Sequence, residues 1–274
     1  MERDPDSEIL SDLSPAALAA AVQANLFTFL CQAGKTSTGE FFSLPGLARW
    51  ATRIPHPWFN GVLVSQPPGS DAGERIEGTK AYFQGRGCDT FSWWLDPGLE
   101  PESWRAPLGA AGFQFSDDTP GMALDLASLP EKLSLASGLS IRPVESLADL
   151  RLWVQLFLAG YGLPADWAGD FYDLFKGIGI SLPIRHYLGN LEGRPVAAST
   201  LYLAAGVAGI YDVATLPEAR RRGLGAALTL APLLEARRLG YRVGILQSSP
   251  DGFGVYRRLG FEQVCTMSHF YWKK

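Results

Sequence analysis

The densest chemistry in this chain lies at Arg220, Arg221, Arg222, Gly223, Leu224, Gly225 and Ala226. Three guanidinium groups bring positive charge, and two glycines let a ligand approach the main chain closely. A β-prone run, residues 207–213, leads in, and an amphipathic run, residues 224–239, leads out. The segment therefore reads as strand, basic turn, helix. Such a turn aims several backbone N–H groups at one point, at the positive end of a helix dipole. A diphosphate suits it. A plain capping arrangement fits the same residues, so the turn alone does not decide. The Gly-Lys-Ser/Thr ending of a P-loop and the third glycine of a dinucleotide fingerprint are both missing.

The elements that must position this turn follow from periodicity and punctuation. Residues 139–145 read as a strand, 147–160 and 165–175 as helices, and 184–191, 194–204 and 207–213 as three strands. Tight turns at Glu192-Gly193 and Ala205-Gly206 join those three. After the helix over 224–239 come a strand at 243–247, a short helix near 252–259 and final strands through Trp272. Pro232 lies inside the long helix and is expected to kink it. In the first half, Ser14 and Pro15 open a helix over 16–31, residues 1–13 are polar and expected to fray, and strands and helices alternate as far as 126. Residues 127–138 read as a linker, which gives domains at 1–130 and 139–274.

A faint internal repeat connects the halves. Helix, strand, helix and strand recur in the same order, and Gly112-Phe113 matches Gly260-Phe261 in position. The first half has no counterpart of Arg220-x-x-Gly-x-Gly. The pattern reads as two copies of one α/β unit, the first without its phosphate turn; chance similarity is the alternative, since this element order is common.

Composition narrows the classes. The chain has 274 residues, 47% of them hydrophobic and 19% charged, with a net charge of −4. That is the profile of a globular protein with a substantial core, and it argues against nonspecific nucleic-acid binding. Cys31, Cys88 and Cys265 are scattered, and His56, His186 and His269 lack metal-ligand spacing, so reduced thiols and no metal are expected. The acidic N-terminus lacks a signal-peptide core, and no window of about 18 apolar residues is expected. A cytoplasmic location without membrane or nucleic-acid partners follows as the expectation.

Downstream of the basic turn stands Tyr256-x-x-x-Gly260-Phe261, after a strand and the loop opened by Ser248 and Ser249. Taken with Arg220-x-x-Gly-x-Gly and the element order from Leu139 onward, this resembles the GNAT superfamily of acyl-CoA-dependent N-acyltransferases. The resemblance covers about half the chain, and the first half resembles a degenerate copy. It implies an α/β fold with a mixed, mostly antiparallel central sheet flanked by helices, in tandem GNAT-like domains. It implies acetyl-CoA as cosubstrate without a metal. The diphosphate would lie on Arg220, Arg221, Arg222, Gly223, Leu224, Gly225 and Ala226. Pantetheine would pair with Val213, Ala214 and Thr215, and Tyr256 would face the sulfur. Ser249 stands where the family often has Asn, which weakens one contact.

Acyl transfer to an amine needs a base, donors for the oxyanion and an acid for the departing thiolate. Tyr256 is the candidate acid and Val213 N–H a candidate carbonyl donor. Asp212, the nearest carboxylate, is the candidate base, and it equally fits a strand-end cap. Tyr211 is a second polar candidate, and Glu218 reads as a solvated turn residue. Trp153, Trp167, Phe171, Tyr172 and Phe175 read as core, with an acceptor-site wall as the alternative. Trp93, Trp94, Phe41 and Phe42 read as core and interdomain packing, with an aromatic wall of the acceptor pocket as the alternative, and Arg237-Arg238 as a solvated helix end. The implied function is N-acetyl transfer from acetyl-CoA to a primary amine of a small or amino-acid-like acceptor, directly within a ternary complex. The alternative is a non-catalytic acyl-CoA sensor or scaffold whose first half binds a partner. Oligomeric state stays open, a homodimer included.

Overall fold

The computed structural model describes residues 9–274 except 97, 134 and 136, and the side chains of Asp117 and Asp118 are likewise outside the description. Most of the segment expected to fray, and part of the expected linker, therefore lie outside the described residues. The chain forms two compact units. The first comprises Met1–Leu26 and Gly121–Val264, the second Phe27–Pro120 and Cys265–Lys274. This division trades the chain ends relative to the 1–130 and 139–274 expectation. The start of the chain goes with the basic turn, and the last strand residues go with the first half.

Helix α1, Pro15–Gly34, opens where Ser14 and Pro15 say it should, with the Ser14 hydroxyl accepting from Ala17 N–H at 3.4 Å. By length and composition α1 could cross a membrane, so the expectation that no such apolar window exists is corrected. Its first-unit portion is bound into protein structure instead. Val22 and Asn25 are fully buried, and the Asn25 amide donates to Ala204 O at 2.8 Å.

In the second unit, β1 (Glu40–Leu44), β2 (Leu47–Ala51) and β3 (Gly61–Val64) form an antiparallel meander. Helix α2 (Ala72–Gln84) then crosses over to β4 (Thr90–Leu95), which runs parallel to β3. Helix α3 (Pro101–Ala110) and β5 (Gln114–Asp125) follow. Trp93, Phe91 and Trp104 are fully buried in this unit's core, as their size and apolarity favour. Phe41 and Phe42 are exposed at 39% and 43%, which corrects the packing expectation. They lie under the cations of Lys35 and Arg49, each 5.1 Å from its ring.

The first unit repeats this scheme in fuller form. It holds β6 (Leu139–Pro143), α4 (Leu147–Tyr161), a 3-10 turn at Ala165–Trp167 and α5 (Ala168–Ile178). Then come β7 (Ile184–Leu191), β8 (Arg194–Ala204) and β9 (Val207–Thr215). These three form a second antiparallel meander, and Glu192-Gly193 and Ala205-Gly206 all have positive φ, as two-residue hairpin turns require. Helix α6 (Leu224–Arg238) crosses over to β10 (Val243–Gln247), parallel to β9. Helix α7 (Pro250–Arg258) and β11 (Glu262–Lys273) close the chain. The order meander, crossover helix, parallel strand, helix, strand is thus present twice. Gly112 and Gly260 occupy the same turn before Phe113 and Phe261. Sheet order in the first unit runs β5, β10, β9, β8, β7, β6, antiparallel except for β9 with β10.

Helix α6 runs unbroken across Pro232. Arg237 is no solvated helix end. Its guanidinium donates to the carbonyls of Leu129 at 2.6 Å and Pro130 at 3.1 Å, tying down the chain that follows β5. Helix α4 lies so close to β9 that a Cβ on Gly160 would stand 2.8 Å from Ala214 Cβ and 3.2 Å from Thr215 N. Gly160→Ala is therefore expected to destabilise the fold by about 1–3 kcal/mol, read as a lower urea midpoint. An unchanged midpoint would mean that α4 can move off the strand freely.

Candidate active site

Strand β9 is paired along both edges only in its first part. Toward β10 its register is Ala208 with Gly244 and Gly209 with Ile245. Among the described residues no pairing with β10 continues beyond that, so the two strands part toward Gln247 and Thr215. Toward β8 the register slips. Thr200 faces Tyr211, Ala198 faces Ala214, and Asp212 and Val213 together oppose Ser199. Asp212 has φ 55°, so this is a β-bulge with its extra residue in the left-handed region. The bulge interrupts the side-chain alternation of a regular strand at Asp212.

The turn after β9 fulfils part of the expectation. Gly223, with φ 80°, is the α6 N-cap and makes no side-chain capping bond. The first intrahelical bond in this turn runs from Ala227 N to Gly223 O, at 3.0 Å. The N–H groups of Leu224, Gly225 and Ala226 therefore lack intrahelical acceptors and open onto the helix N-terminus, which is the geometry an anion needs. Arg221 and Arg222 are exposed, and neither enters an ion pair among the described residues. Arg220 is also tied into the protein. Its guanidinium donates to Gly160 O at 2.8 Å and Thr215 O at 3.2 Å, fastening the end of β9 to the end of α4. Two carbonyls do not neutralise a guanidinium, so Arg220 still brings positive charge to this turn.

Asp212 and Tyr256 are brought to the same region. Burial drives the Asp212 carboxyl from 3.8 up to about 7, against a hydrogen bond from Thr200 that pulls it down. Its Oδ2 is buried without a hydrogen-bond partner. Tyr256 on α7 is half-buried beside Thr229 of α6, and burial raises its phenol. Sequence reasoning missed Tyr161, the last residue of α4. Its hydroxyl donates to Val213 O at 3.3 Å, and its phenol is raised by burial and by the nearby Asp212 and Tyr256. One carboxyl and two phenols thus cluster where β9 and β10 part. The only sequence signal for Tyr161 was its place at the end of an amphipathic helix, which is no signal of chemistry.

Tyr211 is committed elsewhere, since its hydroxyl donates to Asn25 Oδ1 at 2.7 Å. Ser249 caps α7 by accepting from Gly252 N–H at 3.2 Å. That still leaves its hydroxyl proton available to a ligand. Glu218 is exposed in a 3-10 turn, as expected. Trp153, Phe171 and Phe175 are core, while Trp167 and Tyr172 are half-buried.

Comparison with known proteins agrees with this geometry. Residues 151–261 match the acetyltransferase (GNAT) family model. No protein of curated function matches the chain by sequence. Among solved structures, a GCN5-related N-acetyltransferase from Kribbella flavida is similar at 19% identity and TM-score 0.68, covering 96% of each chain. One from Sphaerobacter thermophilus is similar at 15% identity and TM-score 0.62, covering 95% of this chain and 93% of its own. A tandem GNAT protein from the clavulanic acid biosynthesis pathway aligns at 16% identity and TM-score 0.55, covering 96% of this chain and 95% of its own. Residues 151–261 thus match the acetyltransferase (GNAT) family model, and the chain as a whole shares the fold of these solved structures.

Proposed function

We propose that this protein transfers an acetyl group from acetyl-CoA to the primary amine of a small or amino-acid-like acceptor, directly within a ternary complex. The observation that carries the reading is the uncapped α6 N-terminus beside the parting of β9 and β10, with Asp212 and Tyr256 at that parting. The diphosphate would take the N–H groups of Leu224, Gly225 and Ala226, with Arg221 and Arg222 supplying charge. Pantetheine would run along the free edge of Val213, Ala214 and Thr215, with Ser249 donating from the other side.

The chemistry divides between few groups. An amine arrives protonated, and Asp212 Oδ2 takes its proton. With its carboxyl near 7, Asp212 is ionised enough to accept and basic enough to bind the proton. The neutral amine adds to the thioester carbonyl, whose oxygen draws on a main-chain N–H at Val213. As the carbon–sulfur bond breaks, Tyr256 gives its phenolic proton to the thiolate, and the surplus proton of the new amide nitrogen returns to the Tyr256 phenolate, so the amide, the free thiol and a protonated Asp212 remain.

Calorimetry with acetyl-CoA, followed by a primary-amine panel with detection of released thiol, tests the proposal. Release with at least one amine supports it. Tight acetyl-CoA binding with no release across the panel supports the sensor reading instead, and no binding removes both. Tyr256→Phe is expected to lower kcat about 10- to 100-fold while acetyl-CoA affinity changes less than about threefold. Unchanged kcat would remove Tyr256 as the acid.

A further inference from the structure

The second unit carries a groove of its own. The β1–β2 hairpin forms one wall and α2 the other, around a volume of about 440 Å³. That volume is in the range of small-molecule sites. In the hairpin register Phe42 stands opposite Arg49, and Leu44 opposite Leu47. The two-residue period of a strand puts all four on one face, and all four line the groove. Across from them, Asp71, Arg75 and Gly78 recur at helical spacing and line the α2 wall. Phe42 and Leu44 are exposed at 43% and 54%, so the apolar wall is open to an occupant. Every one of these residues belongs to the second unit.

Shape and charge both point to an occupant. Gly78 lies in the interior of α2, where only proline is a poorer helix former. A Cβ there would meet nothing within 4 Å, so the missing side chain keeps the groove open at a cost to the helix. The Arg49 guanidinium stands 3.4 Å from the Tyr82 ring and 5.1 Å from the Phe42 ring. Its Nε is buried without a hydrogen-bond partner. Neither Arg49 nor Arg75 enters an ion pair among the described residues. Glu40 is taken by Arg86 and Tyr82. Two arginines against the single carboxylate of Asp71 leave the lining with an excess of positive charge. A cation partly withdrawn from water without a counter-ion is costly, and an anion in the groove supplies one. Asp71, at the N-cap of α2, repels a second negative charge. The chemistry that fits is one negative charge on an apolar body.

We propose that this groove binds a small organic monocarboxylate, its carboxylate on Arg49 and Arg75 and its apolar body against Phe42, Leu44 and Leu47. The site is independent of acetyl transfer and is tested by binding alone. Because the Arg49 Nε–H is buried, its nitrogen-15 NMR signal is expected to be protected from exchange, with R49K identifying it. Phenylacetate and hexanoate are the probes. Both are expected to shift this signal and to saturate with a Kd of about 0.1–10 mM, as ligands of this size do. Acetate, which lacks the apolar body, and phenylacetamide, which lacks the charge, are expected to bind at least about tenfold more weakly. G78L places a side chain in the groove from an exposed helix position and is expected to weaken both probes at least about tenfold. R75Q removes one cation and is expected to weaken them about three- to tenfold. Unchanged amide spectra elsewhere show that each variant is folded. An Arg49 signal that neither probe moves overturns the proposal, and so does phenylacetamide binding as well as phenylacetate. Probe affinity unchanged in both folded variants places the carboxylate elsewhere and overturns it too. A signal that shifts with protein concentration alone would make the groove a contact between copies of this chain, which also overturns it.

Discussion

Replacing Gly225 with glutamate is expected to abolish acetyl-CoA binding and leave the protein folded. An added Cβ at this position meets only Val213 Cγ1, at 3.9 Å, so the fold accommodates a side chain there. Gly225 lies in the first turn of α6, where a carboxylate interacts favourably with the helix dipole and costs no stability. The same carboxylate would sit where the diphosphate must. Two like charges about 4 Å apart at an effective dielectric of about 20 repel by about 4 kcal/mol, close to a thousandfold in affinity. Calorimetry is expected to show no heat with the glutamate variant and binding within about tenfold of normal with Gly225→Ala, whose methyl carries no charge. A glutamate variant that binds normally would put the diphosphate somewhere other than this turn.

The turn could be read from the sequence because its physics is local. Consecutive residues set both the glycine conformation and the helix start, and hairpin turns such as Glu192-Gly193 are legible for the same reason. The site failed to read wherever the answer depends on distant chain. The letters Arg220 cannot show that its guanidinium turns back to Gly160 O, sixty residues away in sequence. Tyr161 enters the site only because α4 packs on β9, at a contact that Gly160 alone permits. Asp212 was found by proximity to the turn, but its orientation depends on a register slip against β8, and alternation along its own strand misleads. Nothing was read from His186 beyond its lack of metal-ligand spacing, because its neighbours, Thr200 and Trp153, lie on other elements. The exchange of chain ends between the two units is the same limit at larger scale, since composition marks a linker but not which core an end joins.

Asp212→Asn is expected to lower kcat about 10²- to 10⁴-fold at pH 8 while leaving acetyl-CoA affinity nearly unchanged, because the substitution removes a proton acceptor and no diphosphate contact. The pH dependence has a definite sign. With the carboxyl raised to about 7, kcat/KM of the unmodified enzyme should climb as pH rises through that value and then level, and the variant should lose this inflection. Stability should move oppositely. A carboxyl raised from 3.8 to about 7 binds its proton more tightly in the folded protein than in the unfolded chain. Its contribution is intact below the unfolded value and is lost as pH rises through the folded one. Asparagine never ionises, so the variant should be more stable than the unmodified protein at pH 8.5, by up to about 4 kcal/mol, with the difference closing toward pH 4. Urea midpoints at the two pH values read this directly. Greater stability with less activity at high pH would mark Asp212 as a group kept charged at the expense of the fold, which is how a buried base is recognised. A pH-independent difference would instead make it a structural carboxyl, and full turnover in the variant would shift the base to another group at the same parting of β9 and β10, with Tyr161 the first to examine.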